Sequence, residues 1–241
     1  MCYVGQVFDS KRFGEYKVVS YVTKTTVLVK FLLTGYETVT TVESARLGVV
    51  TDRLHPTHYG VGFLGNEVVI GEDYKKLYSM WWSMLRRCFG GSKQNKTYEG
   101  CDVSDNFRNF SFFASWCRKQ IGYGVNKFEL DKDLLSKEVK IYSEDTCVFI
   151  PKEVNLFLKG SKGVRGKYVI GVGYDKVQNK YKVSDISWCR DGKRYETEWE
   201  AFFVYKQAKE QRAKELANKW RDQIDIRVYD ALMNYKVRLT D

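Results

Sequence analysis

Between residues 16 and 42, β-branched and aromatic side chains gather into short runs separated by small polar pairs. Residues 16–22 and 26–33 read as two strands, with Lys24 and Thr25 as the loop between them. Thr34 and Gly35 turn the chain into a third strand at 37–42, and strand runs joined by such short turns predict a small antiparallel barrel or sheet. Residues 48–65, with Pro56 and four glycines, read as a linker that closes this module near residue 66.

The period then changes. Leu77, Trp81, Met84, Leu85 and Cys88 recur at three- and four-residue steps and predict a helix over 74–88. Phe110, Phe113, Ala114 and Cys117 predict a second over 106–120, capped by Ser104 or Asp105. A polar loop at 90–95 separates the two. Strands at 128–131 and 146–150 follow, and Pro151, whose fixed φ suits a first helical turn, opens a helix carrying Val154, Asn155 and Leu158.

Residues 160–166, rich in glycine and lysine, read as a basic connector. Three strand-like runs at 168–174, 180–188 and 193–196 come next, with Asp191 and Gly192 as a hairpin signal. Thr197 and Glu200 have the spacing of a capping box. They predict a long helix with Ala201, Val204, Tyr205 and Ala208 on one face, which Leu216 and Trp220 continue, and a short helix over 225–233 ends the pattern. The expected fold is α+β in three modules, 1–66, 67–159 and 160–241.

Composition narrows the function classes. A chain of 241 residues that is 44% hydrophobic is far from the apolar-poor compositions that stay disordered. Its apolar runs fall well short of the roughly 20 residues that cross a bilayer, so no membrane span is expected. The first residues lack the basic and apolar regions of a secretory signal, which predicts an intracellular protein with reduced thiols. Six cysteines without a C-x-x-C pair argue against structural zinc and read as buried free thiols. The two histidines, His55 and His58, both fall in the linker, which argues against a Cys/His nucleophile.

Net charge is +10, with a pI near 9.2. Basic and acidic residues number 7 and 5 in 1–66, 15 and 13 in 67–159, and 18 and 12 in 160–241. The surplus therefore sits in the last third, as a nucleic-acid reader at that end would place it, although a solvated lysine-rich helix gives the same count.

Several segments, in order, resemble a known family. Trp82-Ser83-Met84-Leu85-Arg86-Arg87-Cys88, then Tyr98-Glu99-Gly100-Cys101-Asp102-Val103-Ser104, then Phe113 and Trp116 are similar to the region preceding the nuclease motif of phage HNH homing-endonuclease-like proteins. Leu130-Asp131-Lys132-Asp133, Tyr142-Ser143-Glu144-Asp145-Thr146-Cys147 and the stretch from Pro151 to Asn155 resemble that motif in a degenerate form. The resemblance implies a ββα-metal unit with flanking helices in the centre of the chain. The last third, with three strand runs and Thr197-Glu198-Trp199-Glu200-Ala201-Phe202-Phe203-Val204-Tyr205, resembles the Apetala-type DNA-binding domain, although the glycine usual before the capping segment is missing. That resemblance implies a three-stranded sheet laid in the major groove with a long helix packed behind it.

The implied chemistry is incomplete. An HNH nuclease binds a divalent metal to the scissile phosphate while a histidine takes a proton from water. At the matching position stands Lys132, and a protonated lysine between two aspartates is no base near neutral pH. Asp131 and Asp133 are hard oxygen ligands suited to Mg2+, with Asn155 as a further oxygen donor, and as strand residues two apart they would share a face. The plainer reading, salt bridges from these aspartates to Lys132, Lys137 or Lys140, stays open beside it. The expected DNA contacts are Lys176, Lys180, Lys182, Arg190, Lys193 and Arg194, with Trp188 as a stacking or packing residue.

The sequence thus reads as a double-stranded DNA-binding protein of phage type, derived from an HNH homing endonuclease and retaining little or no cleavage, at work in the cytoplasm of an infected bacterial cell. Two other readings stand beside it. One is a magnesium-dependent nicking endonuclease using Asp131, Asp133 and Asn155. The other is a basic factor that binds a host protein.

Overall fold

A computed structural model describes residues 2–91, 98–136, 139–159, 167–184, 189 and 192–239. The elements begin with β1 (Val7–Ser10), β2 (Gly14–Tyr21), β3 (Thr26–Phe31), β4 (Glu37–Thr41), α1 (Val42–Arg46) and α2 (Tyr74–Phe89). Next come β5 (Asp102–Val103), α3 (Asp105–Arg108), α4 (Phe110–Lys119), β6 (Phe128–Asp131), β7 (Ile141–Tyr142), β8 (Val148–Pro151) and α5 (Lys152–Leu158). The chain ends with β9 (Val172–Asp175), β10 (Lys180–Val183), α6 (Glu198–Trp220) and α7 (Ile226–Met233). It forms a mixed α+β structure in two compact units: Met1–Arg118 with Lys140–Glu144, and Lys119–Val139 with Asp145–Asp241. Residues 67–159 contribute to both. No helix among the described residues is long and apolar enough to cross a membrane.

In the first unit, β1 to β4 form an antiparallel sheet in sequence order, with a register shift between Val18 and Ser20. Alternation turns Tyr16, Val18, Val27, Val29 and Phe31 inward against Ala45 and Val50, while Lys17 and Lys30 pair across the outer face. The sheet is open, and no closed barrel occurs among the described residues. The segment expected as a linker is folded locally. Arg53 donates from Nε to Gly65 O (2.8 Å) and from Nη2 to Glu67 O (2.7 Å), and Phe63 bridges Asn109.

The second core of this unit buries Leu77, Trp81, Met84 and Leu85 of α2 with Phe107, Phe110, Phe113, Ala114 and Cys117. Trp81 Nε1 donates to the Phe107 carbonyl at 2.8 Å. Ser104 caps α3 by accepting from Phe107 N at 3.2 Å. The single helix expected over 106–120 is broken at Asn109, whose backbone is extended (φ −85°, ψ 111°). The cause is local: the Asn109 side-chain oxygen accepts from Ser111 N at 3.0 Å, offering the chain a new start instead of a further helical turn.

In the second unit β6 and β8 pair antiparallel, with Phe128 opposite Pro151 and Asp131 opposite Val148. Pro151 is the N-cap residue of α5 (φ −55°). Val148, Ile150, Val154 and Phe157 share one core with Ala201, Tyr205, Ala213, Leu216 and Ala217 of α6 and with Val228 and Leu232 of α7. The capping box is present, with Glu200 N donating to Thr197 Oγ1 at 3.2 Å and Thr197 N donating to Glu200 Oε2 at 3.2 Å. Of the three strand runs expected after residue 167, β9 and β10 form a two-stranded sheet. The third is represented among the described residues by a single bridge, Tyr181 to Tyr195. The 160–166 connector lies outside the described residues.

Glu153 joins α5 to α6. Its Oε1 accepts from Arg212 Nη2 (3.0 Å), and its Oε2 accepts from Lys219 Nζ (2.6 Å) and Trp220 Nε1 (3.2 Å). The Lys219 hydrogen bond, ahead of those from Trp220 and the Arg212 charge and against the cost of burial, holds this carboxyl below its ordinary pKa. A carboxylate depressed in the folded state stabilises above its unfolded pKa, and that stability disappears as pH falls through the folded value. Because the side chain is about a third exposed, Glu153→Gln is expected to cost only about 1 kcal/mol at neutral pH. Urea unfolding at neutral and acidic pH checks this: the gap between wild type and variant should close in acid, and a gap that persists there removes the ionic account.

Gly171 sets the approach of the hairpin to the helix. Its φ is +76°, and a Cβ there would lie 2.1 Å from the Tyr205 ring of α6. Overpacking and a left-handed non-glycine backbone act together, so Gly171→Ala is expected to destabilise the second unit by about 2–3 kcal/mol. Tyr205→Ala in the same chain should recover part of that loss, which a double-mutant cycle by chemical denaturation measures.

Candidate nucleic-acid interface

The C-terminal hairpin sorts its side chains by alternation. The register pairs Val172 with Val183, Gly173 with Lys182, Tyr174 with Tyr181 and Asp175 with Lys180. Val172, Tyr174, Tyr181 and Val183 therefore share one face, and Gly173, Asp175, Lys180 and Lys182 the other. Val172 and Val183 are buried in one cluster with Ala201, Phe202 and Tyr205 of α6, so the lysine face is turned away from the helix. The Tyr195 bridge brings Arg194 and Glu196 to the same edge.

Part of this charge is neutralised within the fold. Arg194 Nε donates to Asp175 Oδ2 at 2.8 Å, and Lys180 Nζ pairs with Glu196 at 2.6 Å. The Arg194 hydrogen bond, helped by the backbone amides of Gln178 and Val177, holds the Asp175 carboxyl below its usual pKa. Lys176 and Lys193 are exposed. Lys176 and Lys182 have no ion pair among the described residues. Trp188 and Arg190 lie outside the described residues.

Three tyrosines that the sequence reading passed over gather at the hairpin's other face. Tyr174 lies 5.1 Å from Tyr181 and 5.7 Å from Tyr168 between ring centroids, and Lys167 Nζ sits 5.0 Å from the Tyr168 ring centre. Their signal in the sequence was the recurrence of tyrosine at 168, 174 and 181, readable only once the register is known.

The strand–loop–strand–helix segment is arranged differently from its expected chemistry. β6 ends at Asp131, so Asp133 sits in the turn beyond it and strand alternation does not relate the two carboxylates. Asp131 Oδ1 accepts from the backbone amides of Asp133 (3.1 Å) and Leu134 (2.8 Å) and closes that turn. Burial pushes the Asp131 carboxyl above its ordinary pKa, outweighing the two amides that lower it. Lys132 is 6% exposed and ion-paired with the exposed Asp133. Asn155 donates to Glu129 Oε2 at 2.5 Å, a partner that sequence spacing did not suggest. Lys140 donates to Glu99 O at 2.9 Å, and Lys137 lies outside the described residues.

Each of these side chains is engaged with a different neighbour. Among the described residues, no group of three or more His, Cys, Asp or Glu is placed to hold a metal ion.

No family model, curated protein or solved structure matches this chain. What the two places can do follows from their own side chains. The hairpin face offers ammonium and guanidinium donors on a short rigid ladder, with the Arg194 fork oriented by Asp175. The turn at 131–134 offers a closed set of internal bonds, and an ion-paired ammonium at Lys132 has no lone pair with which to take a proton.

Proposed function

We propose that this protein binds double-stranded DNA through the outward face of the β9–β10 hairpin, with Lys176, Lys182 and Lys193 meeting phosphates and Lys180 and Arg194 in support. The observation that carries the reading is the alternation that buries Val172 and Val183 against α6 and turns Lys180 and Lys182 the other way. Charge agrees with it, since the last third of the chain holds 18 basic against 12 acidic residues. Like the phage proteins it resembles, it would act in an infected bacterial cell.

Cleavage has no part in this reading, because the side chains that would hold a metal and take a proton are committed to a turn, an ion pair and an amide–carboxylate bond. The test is a titration of labelled duplex with the full chain over a salt series, alongside supercoiled plasmid incubated with Mg2+, with Mn2+ and with chelator. Affinity should fall log-linearly with salt at a slope near 0.9 per phosphate contact, and the plasmid should stay supercoiled. Absence of duplex binding at low salt overturns the proposal and leaves an acidic host protein as the partner to seek. Metal-dependent nicking that is lost in Asp131→Ala but kept in Lys132→Ala would install the nuclease in its place.

A further inference from the structure

The first unit carries a pair of thiols that the DNA-binding reading does not use. Cys88 lies in the last turn of α2, and Cys101 immediately precedes β5. Helix end and strand start meet, and the two Sγ atoms stand 3.3 Å apart. Both thiols are also oriented toward the Asp102 carbonyl, at 3.7 and 3.9 Å. Cys88 is partly exposed and Cys101 is buried, so one sulfur can be reached from solvent while the other waits behind it.

A cation stands beside the accessible thiol, against the carbonyl end of α2. Arg87 neighbours Cys88, donates to Tyr142 Oη at 3.4 Å and lies over the Tyr98 ring at 5.7 Å. Burial keeps the Tyr142 phenol neutral far into the alkaline range, so that hydroxyl leaves the guanidinium charge uncancelled. An adjacent cation favours the thiolate, which is the nucleophile in thiol oxidation.

We propose that Cys88 and Cys101 form a dithiol site that hydrogen peroxide oxidises to a disulfide and small thiols reduce again. The Cys88 thiolate attacks one peroxide oxygen, the O–O bond breaks, and the departing hydroxide takes a proton to become water, leaving a sulfenic acid on Cys88. The Cys101 sulfur then attacks the Cys88 sulfur, giving up its proton as the sulfenic oxygen leaves in a second water. Two thiols and one peroxide thus become one disulfide and two waters. The covalent S–S distance is about 2 Å, so the sulfurs have little more than 1 Å to close.

The experiment uses the full chain carrying Cys2→Ser, which removes the exposed thiol that would link two molecules. Treatment with hydrogen peroxide is expected to lower the mass by about 2 Da, the two hydrogens lost in forming one disulfide. Digestion should then yield a linked peptide pair joining residues 88 and 101. Iodoacetamide labelling of both cysteines should fall from full to background and return after dithiothreitol. In Cys88→Ser and Cys101→Ser the mass loss should vanish. Cys101 is buried, so Cys88→Ser carries this arm if the other variant does not fold. Oxygen addition at Cys88 while Cys101 remains open to labelling in the unfolded protein overturns the proposal. So does full labelling of both after peroxide exposure that oxidises free glutathione.

Discussion

Replacing Lys176, Lys182 and Lys193 together by alanine is expected to weaken duplex binding on the order of 100-fold near 0.1 M salt and to flatten the salt slope by about 3 units. Lys193 is chosen for its exposure, and Lys176 and Lys182 because they have no ion pair among the described residues. Arg194 is held by Asp175 at 2.8 Å and Lys180 by Glu196 at 2.6 Å, so truncating either would disturb the hairpin as well as any contact with DNA. Lys176 and Lys193 are exposed, and Lys182 has no ion pair among the described residues. Fluorescence anisotropy across a salt series, with circular dichroism to verify folding, checks the outcome. An unchanged slope in a folded triple variant removes this face from the proposal.

The largest stability effect is expected at Trp81→Ala. The side chain is fully buried and packed against Phe110 at 5.3 Å and His58 at 4.9 Å between centroids, and its indole donates to Phe107 O at 2.8 Å. Truncation leaves a cavity and removes the carbonyl's partner together, for a loss of about 4–5 kcal/mol. Trp81→Phe keeps most of the apolar volume and is expected to lose about 1–2 kcal/mol, the part that belongs to the hydrogen bond. Urea unfolding of both variants separates the two contributions. A loss below about 1 kcal/mol for alanine would mean that the α2 core is not packed as described.

Signals that are local in sequence were legible. The capping box at Thr197 announced the start of α6, and the β-branched and aromatic runs at 16–22 and 26–33 announced the N-terminal sheet, where those two strands end at Tyr21 and Phe31. β1 was not seen, because four residues with a single buried side chain carry no pattern of their own and become a strand through pairing with β2. The break at Asn109 was hidden because the hydrophobic stripe runs through it; the apolar period records which face is buried and not whether the backbone is continuous.

The same division runs through the sites. The sequence put Lys180 and Lys182 on a strand-like run, and the register with β9 then placed them on one face. It could not show that Asp175 claims Arg194 from 19 positions away or that Glu129 claims Asn155 from 26. The strand argument for Asp131 and Asp133 failed at a boundary, since the strand ends at Asp131, two residues short of Asp133. Element ends are where such arguments are weakest.

The route of the chain has a consequence for its synthesis. Residues 119–139 belong to the second unit, residues 140–144 return to the first, where β7 lies parallel to β5, and residue 145 resumes the second. On the ribosome, therefore, the N-terminal unit stays unfinished until Tyr142 has emerged, with more than half the polypeptide already made. The β6–β8–α5 segment by then has Val148, Ile150 and Val154 ready for burial, but their partners on α6 and α7 are translated last. A nascent chain in that interval exposes an apolar surface that only its final residues cover, and such intermediates are the ones that chaperones and proteases intercept. A stop codon just after α5 would strand the protein in that state, so loss of its C-terminal third should be felt as degradation before it is felt as lost binding.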